Sequence, residues 1–436
     1  MLALPIMGGA VSQSLLNIVD TFMVSGLGEN ALAGVGIGGY ATFMSTAIVI
    51  GIGSAVQTMV ARRIGEGREH VAAEPLMIGI LLVFLIGIPV YLLLSHYALE
   101  TMSVLNNDPA VIAIAAPYYA IRMAGLFAVG MNFCFRGYWT GVSRPMIYMR
   151  TLILMHACNI IISYGLIYGK FGLPEMGTNG AAVGTSLSLY IGSILYAVQC
   201  SWWSKRHGYL KQMPTLRSIR PLVRLTLPSS AQQFFFATGL TMLFWIIGRV
   251  GTEELAVAHV LINLVLFLIL PAIGLGMAAT TLVSECMGDN NPEAAYSWGW
   301  DVTKLAMFLL FLCGIPMWYA PETVLGLFFH DTALIELGRL PLRITGIAIF
   351  VDGMAIVLTN SLIGAGAAKD VMKVNVSIQW LAFLPLAYVV GPIYGMGLIG
   401  IWLLQVCQRL ATSAILGSLW SGRRWALAYN DSGREK

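Results

Sequence analysis

Asp20 has the most chemistry to offer, because it stands well inside a run of apolar residues near the start of the chain. A charge at the centre of a bilayer raises the free energy by at least about 3 kcal/mol on insertion scales, so an ionisable residue there is a functional candidate by default. Gly9, Gln13 and Asn17 precede it at spacings that fall on one helical face. That polar stripe is expected to face protein or water rather than lipid, and a carboxyl buried in it can bind and release a proton.

A second stripe, His156, Asn159 and Ser163, has the same helical spacing and is expected to supply hydrogen-bond partners for Asp20. Asp352 lies mid-way along another apolar run with Thr345 and Thr359 on its face, and is a second candidate by the same default. Asp301 and Lys304 are spaced to form a structural ion pair. Arg122 and Arg343 are expected to reach for the headgroups. Each is followed by a glycine at equal spacing, in IRMAG and LRITG.

Other chemistry has no motif to carry it. The sequence holds no HExxH, GxSxG, Walker A or paired-cysteine metal motif, which argues against an enzyme and against a resident cofactor or metal. GVGIGG at 34–39 sits inside an apolar run with no strand before it, where small residues serve close helix packing. The six cysteines are scattered without CxxC spacing and read as small buried hydrophobes.

The elements that hold these residues follow from composition. Of 436 residues 58% are hydrophobic and 11% charged, against roughly 25% charged in an ordinary soluble domain, so the expected solvent is lipid. Stretches of about 20 apolar residues follow one another, each long enough to span a bilayer as a helix. Twelve are expected: near 4–27, 33–60, 73–97, 110–140, 147–169 and 180–202, then 221–249, 254–285, 299–320, 333–363, 373–393 and 396–420.

Basic residues concentrate in alternate loops, among them Arg62, Arg63, Arg68, Arg144, Arg150 and the cluster from Lys205 to Arg224, and again at Lys369, Lys373, Arg423, Arg424, Arg434 and Lys436. The intervening loops, 100–108 and 321–336, are acidic. By the positive-inside rule both termini are cytoplasmic, and the basic balance implies no nucleic-acid partner.

The chain also matches itself. Residues 4–72 align without gaps on 227–295 at an offset of 223, with 13 identities that fall at helix ends and turns, where residue types do not interchange freely. Leu4-Pro5 matches Leu227-Pro228, and Gly51 and Gly53 match Gly274 and Gly276. The expected organisation is an N-lobe at 1–202, a cytoplasmic linker at 203–220, a C-lobe at 221–420 and a cytoplasmic tail at 421–436. An even number of helices per half makes the repeat parallel, about a pseudo-two-fold axis along the membrane normal, an arrangement typical of transporters. With no nucleotide site, such a transporter is secondary.

At this level the sequence resembles the MATE (multidrug and toxic compound extrusion) family over essentially its whole length. The resemblance rests on LALPIMGGAVSQSLLNIVDTFMVSGLGENALAGVG, with its Leu-Pro, Val-Asp-Thr and Gly-x-x-x-Leu-Ala, and on GIGSAVQTMVARRIGEG at the end of helix 2. It rests also on NIIISYGLIYGKFGLPEMGTNGAAVGT at helices 5 and 6, AVAH around His259, and VDGMAIVLTNSLIGAGAAKD in helix 10.

What the resemblance implies is a two-lobed exporter of organic cations in exchange for protons or sodium, lodged in a bacterial inner membrane and monomeric. Asp20 stands at the family's helix 1 carboxylate, Asp352 at a helix 10 carboxylate, and Asn159 at the helix 5 asparagine. Two positions depart from the pattern: Phe236 replaces the helix 7 glutamate of NorM-like members, and Ser163 stands where helix 5 often has Asp or Asn. Loss of the helix 7 acid weakens a sodium site, since a hard cation wants several oxygens, so protons are favoured. The implied coupling and substrate residues are Asp20, Asn17, Gln13, Asn159, Ser163 and Asp352. Rival expectations are a lipid-linked oligosaccharide flippase of the same superfamily and a non-transporting receptor or scaffold.

Overall fold

The computed structural model describes residues 2–211 and 216–426. Four residues of the expected linker, 212–215, and the tail beyond 426, with Arg434 and Lys436, lie outside the described residues. Within them there are helices and turns and no strands, as an apolar chain that must satisfy every backbone amide internally requires.

The first half runs α1 (Ala3–Ser25), α2 (Glu29–Gly65), α3 (Glu74–His96), α4 (Ala98–Leu105), α5 (Pro109–Ala124), α6 (Leu126–Gly141), α7 (Pro145–Tyr168) and α8 (Gly177–Trp203). The second runs α9 (Leu216–Gly248), α10 (Thr252–Leu268), α11 (Leu270–Gly288), α12 (Pro292–Tyr319), α13 (Pro321–Leu325), α14 (Thr332–Ala365), α15 (Ala368–Val376), α16 (Leu384–Tyr388) and α17 (Gly397–Ser421). Ten stretches among the described residues are long and apolar enough to cross a membrane unaided, and α5 with α6, bent by 47° at Gly125, makes an eleventh. The 23-residue α1 completes twelve spans, with α10 and α11 together forming the eighth. The acidic loop regions around 100–108 and 321–336 each hold a short helix, α4 and α13.

The repeat persists in backbone detail beyond the segment that aligns. Asp108 and Asp331, at the same offset of 223, both cap a helix, each Oδ1 accepting from the amide two residues on at 2.9 Å. Ser143 and Gly366, again at that offset, both turn left-handed after a helix, at φ 58° and 97°. Helix contacts repeat too: a Cβ on Gly141 would lie 3.0 Å from the Gln57 carbonyl oxygen, and one on Gly364 would lie 2.7 Å from that of Thr280.

One span departs from a regular helix. Ser377–Phe383 and Val389–Ile393 are π-helical and flank α16. The widened turn accompanies two side chains that reach α9, where Trp380 Nε1 donates to the Phe235 carbonyl at 3.1 Å and Gln379 occupies the space beside Gly239.

Packing divides the chain into two compact units, one ending at Phe234 and the other beginning at Phe235, so the division falls within α9. In the first unit the small residues of GVGIGG behave as expected, since a Cβ on Gly34 or Gly38 would drive into Ile114 or Tyr118 of α5. α2 also approaches α6 closely, where a Cβ on Gly137 would run into the Gly53 carbonyl oxygen. Gly137→Ala is therefore expected to destabilise the protein by about 1–3 kcal/mol, the usual range for overpacking. Gly36→Ala, with open space around the new methyl group, should be neutral. Thermal midpoints in detergent separate the two, and equal midpoints would refute the packing assignment.

Candidate ion-coupling site

Asp20 sits on α1 among apolar neighbours. Met23 and Val24 of α1, Ala31 of α2, Tyr118 of α5, Ile167 of α7, and Ala181 and Ala182 of α8 form one buried cluster, with Val19, Val35, Ile121 and Tyr168 packed around it. Tyr168 fixes the end of α1 by donating to the Met23 carbonyl at 2.6 Å. Asp20 Oδ1 is buried and accepts no hydrogen bond among the described residues. The charged group whose field reaches it is Arg122, and Tyr118 feels both.

The Nε and Nη1 of Arg122 are buried without a hydrogen-bond partner among the described residues. The same is seen in part at Arg343, whose Nε is buried and unpartnered.

The helix 5 stripe lies on α7, which packs against both α1 and α8. Glycines let it in close: a Cβ on Gly9 would meet Tyr148 and Leu152, and one on Gly184 would run into Ser163 Oγ. The stripe does not hydrogen-bond to Asp20. His156 instead lies 2.7 Å from Ser12 and 3.2 Å from Gln13 Oε1, and Gln13 donates on to Asn17 at 3.2 Å. Asn159 Nδ2 donates to Ser188 on α8 at 3.2 Å. Gln13 and Asn17 are exposed, whereas Asn159 and Ser163 are fully buried. Asn159 Oδ1 and Ser163 Oγ, like Asp20 Oδ1, have no partner among the described residues.

The first unit thus offers three buried, unsatisfied oxygens on α1 and α7, of a kind that could receive a proton or a small cation. No group of three or more His, Cys, Asp or Glu side chains among the described residues is placed to hold a metal ion.

Asp352 belongs to the second unit and is engaged differently. Its Oδ2 accepts from Arg409 Nη1 of α17 at 2.7 Å, with side chains 15% and 12% exposed. Trp402 Nε1 donates to Thr345 Oγ1 at 2.9 Å, and Ser413 Oγ to the Val351 carbonyl at 3.0 Å, so α14 and α17 are bonded on either side of the ion pair. Arg409 was absent from the sequence reading, although it is an ionisable residue inside an apolar span and the same default would have flagged it. Asp301 and Lys304 do pair, at 3.6 Å, on an exposed surface. Phe236 and His259 are both exposed, and the His259 ring lies 4.9 Å from that of Phe244.

A family model described as MatE matches residues 5–165 and 228–389, so its two copies begin on prolines related by the internal offset. The probable multidrug resistance protein NorM of Thermotoga maritima is 26% identical over 432 residues, 97% of this chain and 92% of the relative. A transporter of the MOP superfamily from Pyrococcus furiosus, described as having a binding pocket of reversed polarity that suggests a different function, superposes with a TM-score of 0.87 at 23% identity, covering 98% of this chain and 95% of that one. The eukaryotic MATE transporter AtDTX14 superposes with a TM-score of 0.88 at 18% identity, covering 100% and 97%.

Proposed function

This chain belongs to the MatE family of membrane transporters, and on that premise we propose that it exports small organic cations by alternating access in exchange for protons. The names of its NorM relatives support multidrug export. The observation that carries the coupling is Asp20 Oδ1, a carboxylate oxygen buried in a membrane span without a hydrogen-bond donor among the described residues. Such an oxygen is stabilised when a proton or cation arrives, so its occupancy can be linked to the conformation of α1.

In this reading Asp20 takes a proton when its unit opens outward, loosening its hold on a cationic substrate or reshaping α1. It returns the proton toward the basic side of the membrane, which holds both termini. Asn17 and Gln13, exposed on α1 and hydrogen-bonded to each other, are the groups from which a change at Asp20 would reach the solvent-facing surface. Sodium is the weaker coupling ion because the neutral Ser163 Oγ and Asn159 Oδ1 would leave Asp20 as the one charged oxygen of the set. Arg122 adds a positive field that opposes a second cation. Exposed aromatic and methionine side chains suit varied apolar substrates.

The test uses purified protein in proteoliposomes loaded with a fluorescent organic cation. A proton gradient imposed alone should drive efflux, and a sodium gradient imposed alone should leave it at the leak rate. Efflux driven by sodium and not by protons would overturn the ion assignment.

A further inference from the structure

Each unit holds one candidate coupling carboxylate, Asp20 in the first and Asp352 in the second, and of these two only Asp352 has a counter-ion in contact among the described residues. We propose that Arg409 is a resident cation occupying the place at Asp352 that a coupling ion would need, so that the second unit is a non-exchanging half and Arg409 fixes which unit carries coupling. The inference rests on the exporter reading only for its transport measurements.

The geometry supports this in three ways. The Nη1 to Oδ2 distance of 2.7 Å is that of a charge-assisted hydrogen bond, and both side chains are largely withdrawn from solvent. A guanidinium does not give up its proton under any ordinary condition, so the positive charge cannot leave as an ion would. The pair is also tethered at both ends. The bonds from Trp402 to Thr345 and from Ser413 to the Val351 carbonyl hold α17 against α14 on either side, with Trp402 fully buried. To load an ion onto Asp352, the protein would have to break the ion pair and leave a guanidinium buried without a partner, which is strongly unfavourable.

In the first unit the corresponding arrangement is open. Asp20 Oδ1 and Arg122 Nε and Nη1 are buried without hydrogen bonds, and no ion pair joins them among the described residues. The units therefore differ in whether the carboxylate is already filled. Arg409 is a positioning residue by this reasoning, acting through Asp352.

The experiment has a chemical arm and a transport arm. Wild-type protein in lipid is treated at mildly acidic pH with a hydrophobic carbodiimide, which modifies protonated carboxyl groups, and the peptides are weighed. Asp20 should be modified and Asp352 untouched, whereas Arg409→Met should make Asp352 reactive. Modification of Asp352 in the wild type to the same extent as Asp20 would overturn the proposal, whatever the variants do. In the transport arm, Asp352→Asn alone should lower proton-driven efflux at least tenfold by stranding Arg409. The double variant Asp352→Asn with Arg409→Met should recover to within threefold of wild type, with the pH profile of transport unmoved. A double variant that is monodisperse yet as inactive as Asp352→Asn, or whose pH profile is displaced, would show that Asp352 itself exchanges an ion. If the wild type exports nothing on any gradient, the exporter reading fails, while the carbodiimide result still decides the role of Arg409.

Discussion

Asp20→Asn is expected to abolish proton-driven accumulation of substrate while leaving the protein folded. One proton moving down a gradient of about two pH units releases about 2.7 kcal/mol, enough to sustain roughly a 100-fold substrate gradient at one proton per cycle. Asparagine keeps the size of the side chain and cannot exchange a proton, so the accumulation ratio should fall to about one. Because Asp20 Oδ1 has no hydrogen-bond donor among the described residues, the substitution breaks no hydrogen bond, and the thermal midpoint should hold. Normal accumulation in Asp20→Asn would exclude this carboxyl as the coupling group.

The second large effect concerns the turn between α2 and α3. Arg63 Nη1 lies 2.7 Å from Glu74 Oε2 and 2.5 Å from the Val71 carbonyl oxygen, and its side chain is 8% exposed. The start of the segment after α8 docks on the same turn. The Ala73 amide donates to the His207 carbonyl at 2.9 Å, and His207 Nδ1 lies 2.6 Å from the Tyr138 hydroxyl. Burial, helped by the charge of Arg206, holds the His207 ring below the ordinary imidazole range, which favours the neutral donor or acceptor this contact needs. Glu74→Ala strands the Arg63 charge in this setting and is expected to destabilise the protein by about 3–5 kcal/mol, because a buried charge that loses its partner is not rehydrated. At about 2–4 °C per kcal/mol the thermal midpoint should drop on the order of 10 °C. Arg63→Met with Glu74→Leu should recover most of it. A single variant with an unchanged midpoint would mean that Arg63 finds water or another acceptor.

The architecture was legible because it is written in lengths and in a repeat. Apolar runs of span length located the helices, with the largest miss at the start of α12, expected at 299 and found at Pro292, and the 223-residue offset extends to pairs such as Asp108 with Asp331 that lie outside the aligned segment. Breaks within spans were not legible. Gly125 ends α5 with a 47° bend, while Gly346, its counterpart after the paired arginine, lies inside a continuous α14. The same Arg-x-x-Gly spacing serves both outcomes, and neighbouring helices decide.

The site was half legible. Asp20 and Asp352 stood out because charge in an apolar run is rare, and that rule is local. Their partners depend on which helices touch, which no local rule supplies. Periodicity placed His156, Asn159 and Ser163 on one face of α7, but α7 meets α1 at Gly9, so His156 lands beside Ser12 and Gln13 rather than beside Asp20. Arg409 was missed although it stands mid-way along an apolar span and the same rule applies to it, and only the fold shows that Asp352 lies within its reach.

The most direct measurement of the central claim is the proton flux that substrate itself evokes. Proteoliposomes enclosing a pH-sensitive dye are given an organic-cation gradient with no imposed proton or sodium gradient. Wild-type protein is expected to move protons opposite to the substrate, and Asp20→Asn to move substrate downhill, if at all, with no pH change. Substrate flux without a pH change in the wild type, or an undiminished pH change in Asp20→Asn, would contradict proton exchange at Asp20.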